Sequence, residues 1–232
     1  LILLALTLTL TAEAAGQGLP EPSNGPRFVK ARRLMDMAGE QDTESLRRSI
    51  WKQFKESQAR TVSKEDAALL RDNMDVASLR TALTHIWARD FVEEDLDTAI
   101  SFFVSEPGKS YLRAAEGFPG PYWKPLLGGQ VPDDPAFAKT LRLVYAAGAF
   151  DRCRSALERK AAEAGTTADP AAVRNAVARH YLKTIDDRTR NTALSFFESA
   201  AGRQFERTVQ SQAREGPGLF RLWLTDWVPD TA

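Results

Sequence analysis

The chain has 232 residues, and its 31 Lys plus Arg balance its 31 Asp plus Glu to a formal net charge of zero. That balance argues against a nucleic-acid binder relying on a broad basic surface and against an acidic solvating tail. One cysteine excludes an internal disulfide, two histidines exclude a histidine-rich metal cage, and 43% hydrophobic with 27% charged residues is the composition of a soluble globular chain long enough for one large domain or two small ones.

The chain opens Leu1, Ile2, Leu3, Leu4, Ala5, Leu6 and alternates leucine with threonine to Thr11. Ala12, Glu13 and Ala14 follow. A short apolar run before an Ala-x-Ala site predicts a secretory signal peptide over 1–14, truncated at its start and cleaved after Ala14. It is shorter than the roughly 20 apolar residues that span a bilayer. No cysteine follows the run, so acylation of an N-terminal cysteine is excluded. The reading predicts a periplasmic or secreted protein with no transmembrane segment. In an oxidising compartment, Cys153 is expected to be either buried and inert or paired with another chain, and its place on one helix face with Phe150 and Leu157 favours the buried reading.

Residues 15–27 are rich in Gly, Pro and polar residues and read as a flexible leader. Helical patterning then dominates. A first helix is predicted from Phe28 to Ala38, stopped by Gly39. Leu46, Ile50 and Phe54 stripe a second. Ser63 with Asp66 reads as a capping box opening a third, whose apolar face continues through Leu79, Leu83, Ile86 and Trp87. Sustained β-branched alternation and hairpin turns are missing. Residues 117–136 carry five prolines and four glycines, which no helix continues through. They also carry Phe118, Tyr122, Trp123, Leu126 and Leu127, so they read as a connector that packs down. Helix resumes from Phe137 to Glu163. Asp169 before Pro170 is an N-cap and first-turn proline. Helix then runs to Arg214, and Gly216, Pro217 and Gly218 stop it. A tail over 215–232 holds Phe220, Leu222, Trp223, Leu224 and Trp227, too apolar to dangle in water.

The strongest signal is an internal repeat. Thr98, Ala99, Ile100, Ser101, Phe102 and Phe103, then Ser105, Gly108, Lys109 and Tyr111, return 94 residues later as Thr192, Ala193, Leu194, Ser195, Phe196 and Phe197, then Ser199, Gly202, Arg203 and Phe205. A second match runs from Phe28, Lys30, Arg33, Leu34, Ala38, Gly39 and Asp42 to Phe137, Lys139, Arg142, Leu143, Ala147, Gly148 and Asp151, at an offset of 109. The two offsets imply about fifteen residues fewer in the middle of the second copy. The prediction is an all-α protein of two pseudo-repeated helical units, 28–116 and 137–214, packed as one bundle-like body without a sheet. In each copy the serine ends one helix and caps the next, and the glycine permits close helix approach. Alternatively Ser105 with Lys109, and Ser199 with Arg203, bind an anion at a helix N-terminus.

An acidic Phe91-Val92-Glu93-Glu94 start, a helix ending Ser101-Phe102-Phe103-Val104-Ser105, then Gly108-Lys109, resembles the bacterial envelope family of domain of unknown function 2059. The resemblance covers about 25 residues well. The second copy keeps Phe196-Phe197, Ser199 and Gly202-Arg203 but retains only Asp186 and Asp187 of the acidic start. The family's proline directly after the serine is displaced here to Pro107. What the resemblance implies is an exported, all-helical protein, and it implies no activity.

No phosphate loop, zinc-protease helix, nucleophile elbow or paired-cysteine site occurs in the sequence, so no catalytic residue, cofactor or metal is assigned. His85 and His180 read as boundary residues of core-lining helices. Glu93, Glu94, Asp95 and Asp97 favour a helix N-terminus and lack the spacing of a calcium loop. Lys30, Arg32, Arg33, Arg47 and Arg48 read as a solvated face. Tyr122, Trp123, Trp223 and Trp227 either cover the seam between units or offer a surface to a ligand or partner. The function expected first is a non-enzymatic protein-interaction module of the envelope. A carrier of a small apolar or lipid-like ligand comes second, and a carboxylate hydrolase using Glu93 or Glu94 third.

Overall fold

The computed structural model describes residues 25–38, 75–116, 118, 131–163, 165, 167 and 169–227. Among them the fold is all-α. Its helices are α1 (Pro26–Met37), α2 (Val76–Asp90), α3 (Glu93–Val104), α4 (Glu106–Glu116), α5 (Pro135–Ala146), α6 (Ala149–Glu163), α7 (Pro170–Thr184), α8 (Asp187–Phe197) and α9 (Ala200–Trp227). No helix among the described residues is long and apolar enough to cross a membrane. The expected signal peptide over 1–14, residues 15–24 of the leader, the second predicted helix, the Ser63–Asp66 box and most of the connector lie outside the described residues; the leader's last residues, Pro26 and Arg27, instead open α1.

Aspartate caps set several helix starts. Asp75 accepts from the Ala77 and Ser78 N–H groups, Asp134 from Ala136 and Asp169 from Ala172, at 2.8–3.3 Å. Asp186 accepts from Thr189 at 2.6 Å. Each satisfies a donor that the first helical turn leaves without a partner. Pro135 and Pro170 sit just inside their helices, where a missing N–H costs nothing.

Two expected helices and one expected stop are corrected. The stretch 137–163 breaks at Ala147–Gly148, because Gly148 adopts a left-handed φ of +56°. The stretch 169–214 breaks at Ile185 and again at Glu198–Ser199, where Asp186 and Ser199 offer side-chain oxygens to the next helix. The stop at Gly216–Gly218 does not occur. Helix α9 continues through it to Trp227, with Gln212 before it and Trp223 after it each bonded to another segment. Tertiary contact here overrides local propensity.

By packing, the chain divides into two units at 92/93 and 207/208, whereas the sequence division follows the repeat. One unit is Glu93–Arg207. Its core includes Leu96, Phe103, Tyr111, Leu143, Leu157, Val177, Tyr181, Phe197 and Phe205. The other holds α1, α2 and the described residues of α9 from Thr208 on. There α1 lies on α2, with Phe28, Leu34, Met35, Leu79, Trp87 and Phe91 buried. The Phe28 ring meets His85 at 4.8 Å. Trp87 donates to Gln212, and Trp223 Nε1 donates to the Asp75 carbonyl at 2.7 Å. Arg89 makes two bonds to Glu215, at 2.8 and 2.9 Å.

The helix boundaries recur along the chain. Helices α2, α3 and α4 start 94 residues before α7, α8 and α9, and Asp75 stands 94 before Asp169. Helices α1 and α5 both span 12 residues, 109 apart at each end.

Candidate functional site

The two repeated turns have the same geometry. Ser105 Oγ donates to the Phe102 carbonyl at 2.6 Å and accepts from Gly108 N–H at 3.2 Å. Ser199 Oγ does the same with Phe196 and Gly202, at 2.6 and 3.2 Å. A Cβ on Gly108 would overlap the Phe102 carbonyl, and one on Gly202 the Phe196 carbonyl. Only glycine lets the new helix start against the end of the old one. Lys109 pairs with Glu106 at 3.4 Å, and Arg203 bonds to the Glu198 carbonyl. Both serines and both bases in these turns therefore have partners within the protein.

The rings around the turns pack as exchanged pairs. Phe102 stacks on Phe196 at 4.1 Å with 8° between planes. Phe102 meets Phe197 at 5.9 Å, and Phe196 meets Phe103 at 5.6 Å, both at 75°. Tyr111 meets Phe197 at 4.9 Å, as Phe205 meets Phe103 at 4.8 Å. Swapping 102, 103 and 111 for 196, 197 and 205 maps each contact onto another. Edge-to-face and offset contacts of this kind stabilise beyond area alone.

Tyr111 breaks the exchange, because its counterpart Phe205 has no hydroxyl. That hydroxyl belongs to a buried polar cluster. Arg152, one turn into α6, places Nη1 at 2.8 and 2.7 Å from both carboxylate oxygens of Glu206 on α9. Its Nη2 donates to the Ala147 carbonyl and reaches the Tyr111 hydroxyl at 3.4 Å. The two side chains are 23% and 10% exposed, so water screens the pair little. A Cβ on Gly148 would collide with Glu206 Oε2, so the carboxylate fills the space that this glycine leaves. The Tyr181 ring stands 5.6 Å from the Tyr111 ring, so a second buried phenol adjoins the cluster.

Burial governs the acid–base state of the cluster. It pushes Tyr111 up to about 12, against the pull of Arg152, and holds Tyr181 well above the phenol range. Burial also raises the Glu206 carboxyl, and Arg152 pulls it back. The half-buried Cys153 is pushed by burial to about 11, so it stays a thiol at neutral pH and is a poor nucleophile. On its face Leu157 is buried and Phe150 half-buried. The phenols and the thiol keep their protons at neutral pH, and the carboxylate is bonded to Arg152.

A second feature lies on the surface of the same unit. Tyr145 is 53% exposed, yet Arg174 Nη1 donates to its hydroxyl at 2.9 Å and Phe150 stands 6.5 Å from its ring. Nearby in sequence to Tyr181, His180 Nε2 donates to the Ala114 carbonyl at 2.8 Å and its ring faces Phe118 at 5.0 Å.

Of the residues read as a possible surface, Trp223 is buried and its indole bonded to Asp75. Tyr122 and Trp123 lie outside the described residues, as does the side chain of Trp227. Glu93, Glu94 and Asp97 are exposed at the start of α3, and no group of three or more potential metal ligands gathers among the described residues. The sequence reading missed Arg152, Glu206 and Tyr181 as a cluster. One signal was present: Glu206 falls 94 after Leu112, a charge where the other copy is apolar.

No family model, curated protein or solved structure matches the chain.

Proposed function

We propose that this protein is an exported helical protein of the bacterial envelope, akin to the family of domain of unknown function 2059, and that it acts by binding another protein rather than by catalysis. One observation carries the reading: Tyr145 is exposed but fixed by Arg174 beside Phe150. Tyrosine and arginine dominate the energetics of protein interfaces, and a side chain already held in place loses little freedom on binding. The closed cluster around Arg152 adds support, since the Glu206 carboxylate and the Tyr111 phenol serve internal bonds to Arg152. Export rests on the apolar run and Ala-x-Ala site of residues 1–14.

Crosslinking in intact envelopes tests this. The wild-type chain is expected to give one discrete complex, and Tyr145→Ala to lose it while keeping its helix content. A chain that stays uncrosslinked, or a complex indifferent to Tyr145→Ala, would overturn the reading. Native mass spectrometry of gently purified protein separates the alternative, a carrier of an apolar or lipid-like ligand built on Tyr122, Trp123 and Trp227. A co-purifying small molecule in place of a protein partner would favour the carrier.

A further inference from the structure

Tyr145 and Arg174 occupy places where the first half of the chain holds an ion pair. Asp36 stands 109 residues before Tyr145, the offset between α1 and α5, and Arg80 stands 94 before Arg174, the offset between α2 and α7. In the unit that holds α1 and α2, Arg80 Nη2 bonds to Asp36 Oδ1. In the Glu93–Arg207 unit, Arg174 Nη1 reaches the corresponding residue but meets a phenol, at 2.9 Å. The contact recurs and the negative charge does not. A phenol oxygen accepts a hydrogen bond without neutralising the guanidinium.

No neighbouring acid makes good the loss. Helices α5 and α7 pack on each other. Together they carry Lys139, Arg142, Arg174, Arg179 and Lys183, and no Asp or Glu. Asp134 and Asp169, at their starts, are taken up as caps. Glu198 is bonded to Arg142 at 2.6 Å. Among the described residues no carboxylate pairs with Arg174 or Lys139. Ala138, Arg142 and Tyr145 are exposed at i, i+4 and i+7 on α5, with exposed Lys139 beside them. The face around Tyr145 is therefore basic, and a guanidinium is the cation whose planar fork matches a carboxylate.

On the reading that Tyr145 is the binding residue, we propose that its partner brings the missing carboxylate: an acidic segment of another protein whose Asp or Glu pairs with Arg174 as Asp36 pairs with Arg80. Lys139 lies six residues before Tyr145, about 9 Å along the helix. A second acid about three residues along an extended partner segment comes level with it.

The probe is rhodamine-labelled hexaglutamate, titrated with the whole purified protein at low ionic strength and read by fluorescence anisotropy. Wild type is expected to bind it, less tightly as salt is added. Arg174→Gln removes the cation. Tyr145→Asp rebuilds the arrangement of Asp36 and Arg80 and satisfies Arg174 from within. Each is expected to weaken binding at least about fivefold with helix content unchanged in circular dichroism. Lys109→Gln, which removes a base of the same unit on α4, should bind as wild type does. In intact envelopes, the crosslinked complex should be lost in Arg174→Gln as in Tyr145→Ala. Peptide that does not bind, or binds all variants equally, would overturn the acidic partner. So would uptake of the protein by phosphatidylglycerol vesicles in place of the peptide, or a crosslinked complex that proves to be two copies of this chain. A complex that survives Arg174→Gln but not Tyr145→Ala would overturn it while leaving Tyr145 as the binding residue. A complex indifferent to Tyr145→Ala overturns the reading beneath it instead. If Arg174→Gln does not fold, Tyr145→Asp and the salt series decide.

Discussion

A methyl group at Gly108 or Gly202 has nowhere to go. Each Cβ would fall on the carbonyl that closes the preceding helix, so accommodation requires backbone movement at the Phe102–Phe103 or Phe196–Phe197 turn. Gly108→Ala and Gly202→Ala are each expected to lower stability by about 1–3 kcal/mol in urea denaturation, despite alanine's better helix propensity. Ser105→Ala or Ser199→Ala removes only the cap and should cost about 1 kcal/mol. His180 sets a pH dependence of known sign. Burial lowers its pKa below the ordinary histidine value, and the bond to the Ala114 carbonyl opposes that shift. The unfolded chain therefore binds a proton at His180 before the folded one does. Its contribution is full above the ordinary histidine pKa and is lost as the pH falls through the lowered folded value. Urea midpoints measured from neutral to mildly acid pH should fall, and His180→Gln should remove part of that slope.

At the scale of elements, α9 runs unbroken through Gly216, Pro217 and Gly218. Those residues forfeit backbone bonding and stiffness, so the stretch beyond them leans on side chains. Trp223→Phe would leave the Asp75 carbonyl without its indole donor and is expected to cost about 1–3 kcal/mol. Hydrogen exchange should show the loss first in amides after Gly218. This helix also marks the limit of what the sequence discloses. Period and caps were legible where they act locally: the all-α class, the helix starting near Phe28, the Asp169–Pro170 start and both Ser-x-x-Gly turns. The Gly148 break was hidden because apolar residues continue on both sides of it. The continuity of α9 was hidden because Trp87 and Asp75, which bond it, lie more than a hundred residues away. The Arg152–Glu206 pair spans 54 residues, and a charge on an amphipathic helix reads as solvated until its neighbours are placed.

At the scale of the whole molecule, two tests apply. If residues 1–14 direct export, the protein recovered from the envelope fraction should begin at Ala15 on N-terminal sequencing. The Phe102–Phe196 stack should behave as a shared element of its unit. Each ring is 7% exposed, and truncating either to alanine is expected to cost about 3–5 kcal/mol. The double variant should cost less than the sum, because the first truncation already removes the contact. The stack has a consequence for how such a chain changes over time. Were its two sides separate identical subunits, every mutation would appear twice across the contact, and a Glu at position 206 would bring a second carboxylate with it. Carried on one polypeptide, the sides are free to diverge singly. Leu112 can remain apolar while its counterpart becomes Glu206, and Phe205 can lack a hydroxyl while Tyr111 has one. A substitution on one side of this core therefore leaves the residues of the other side as they were.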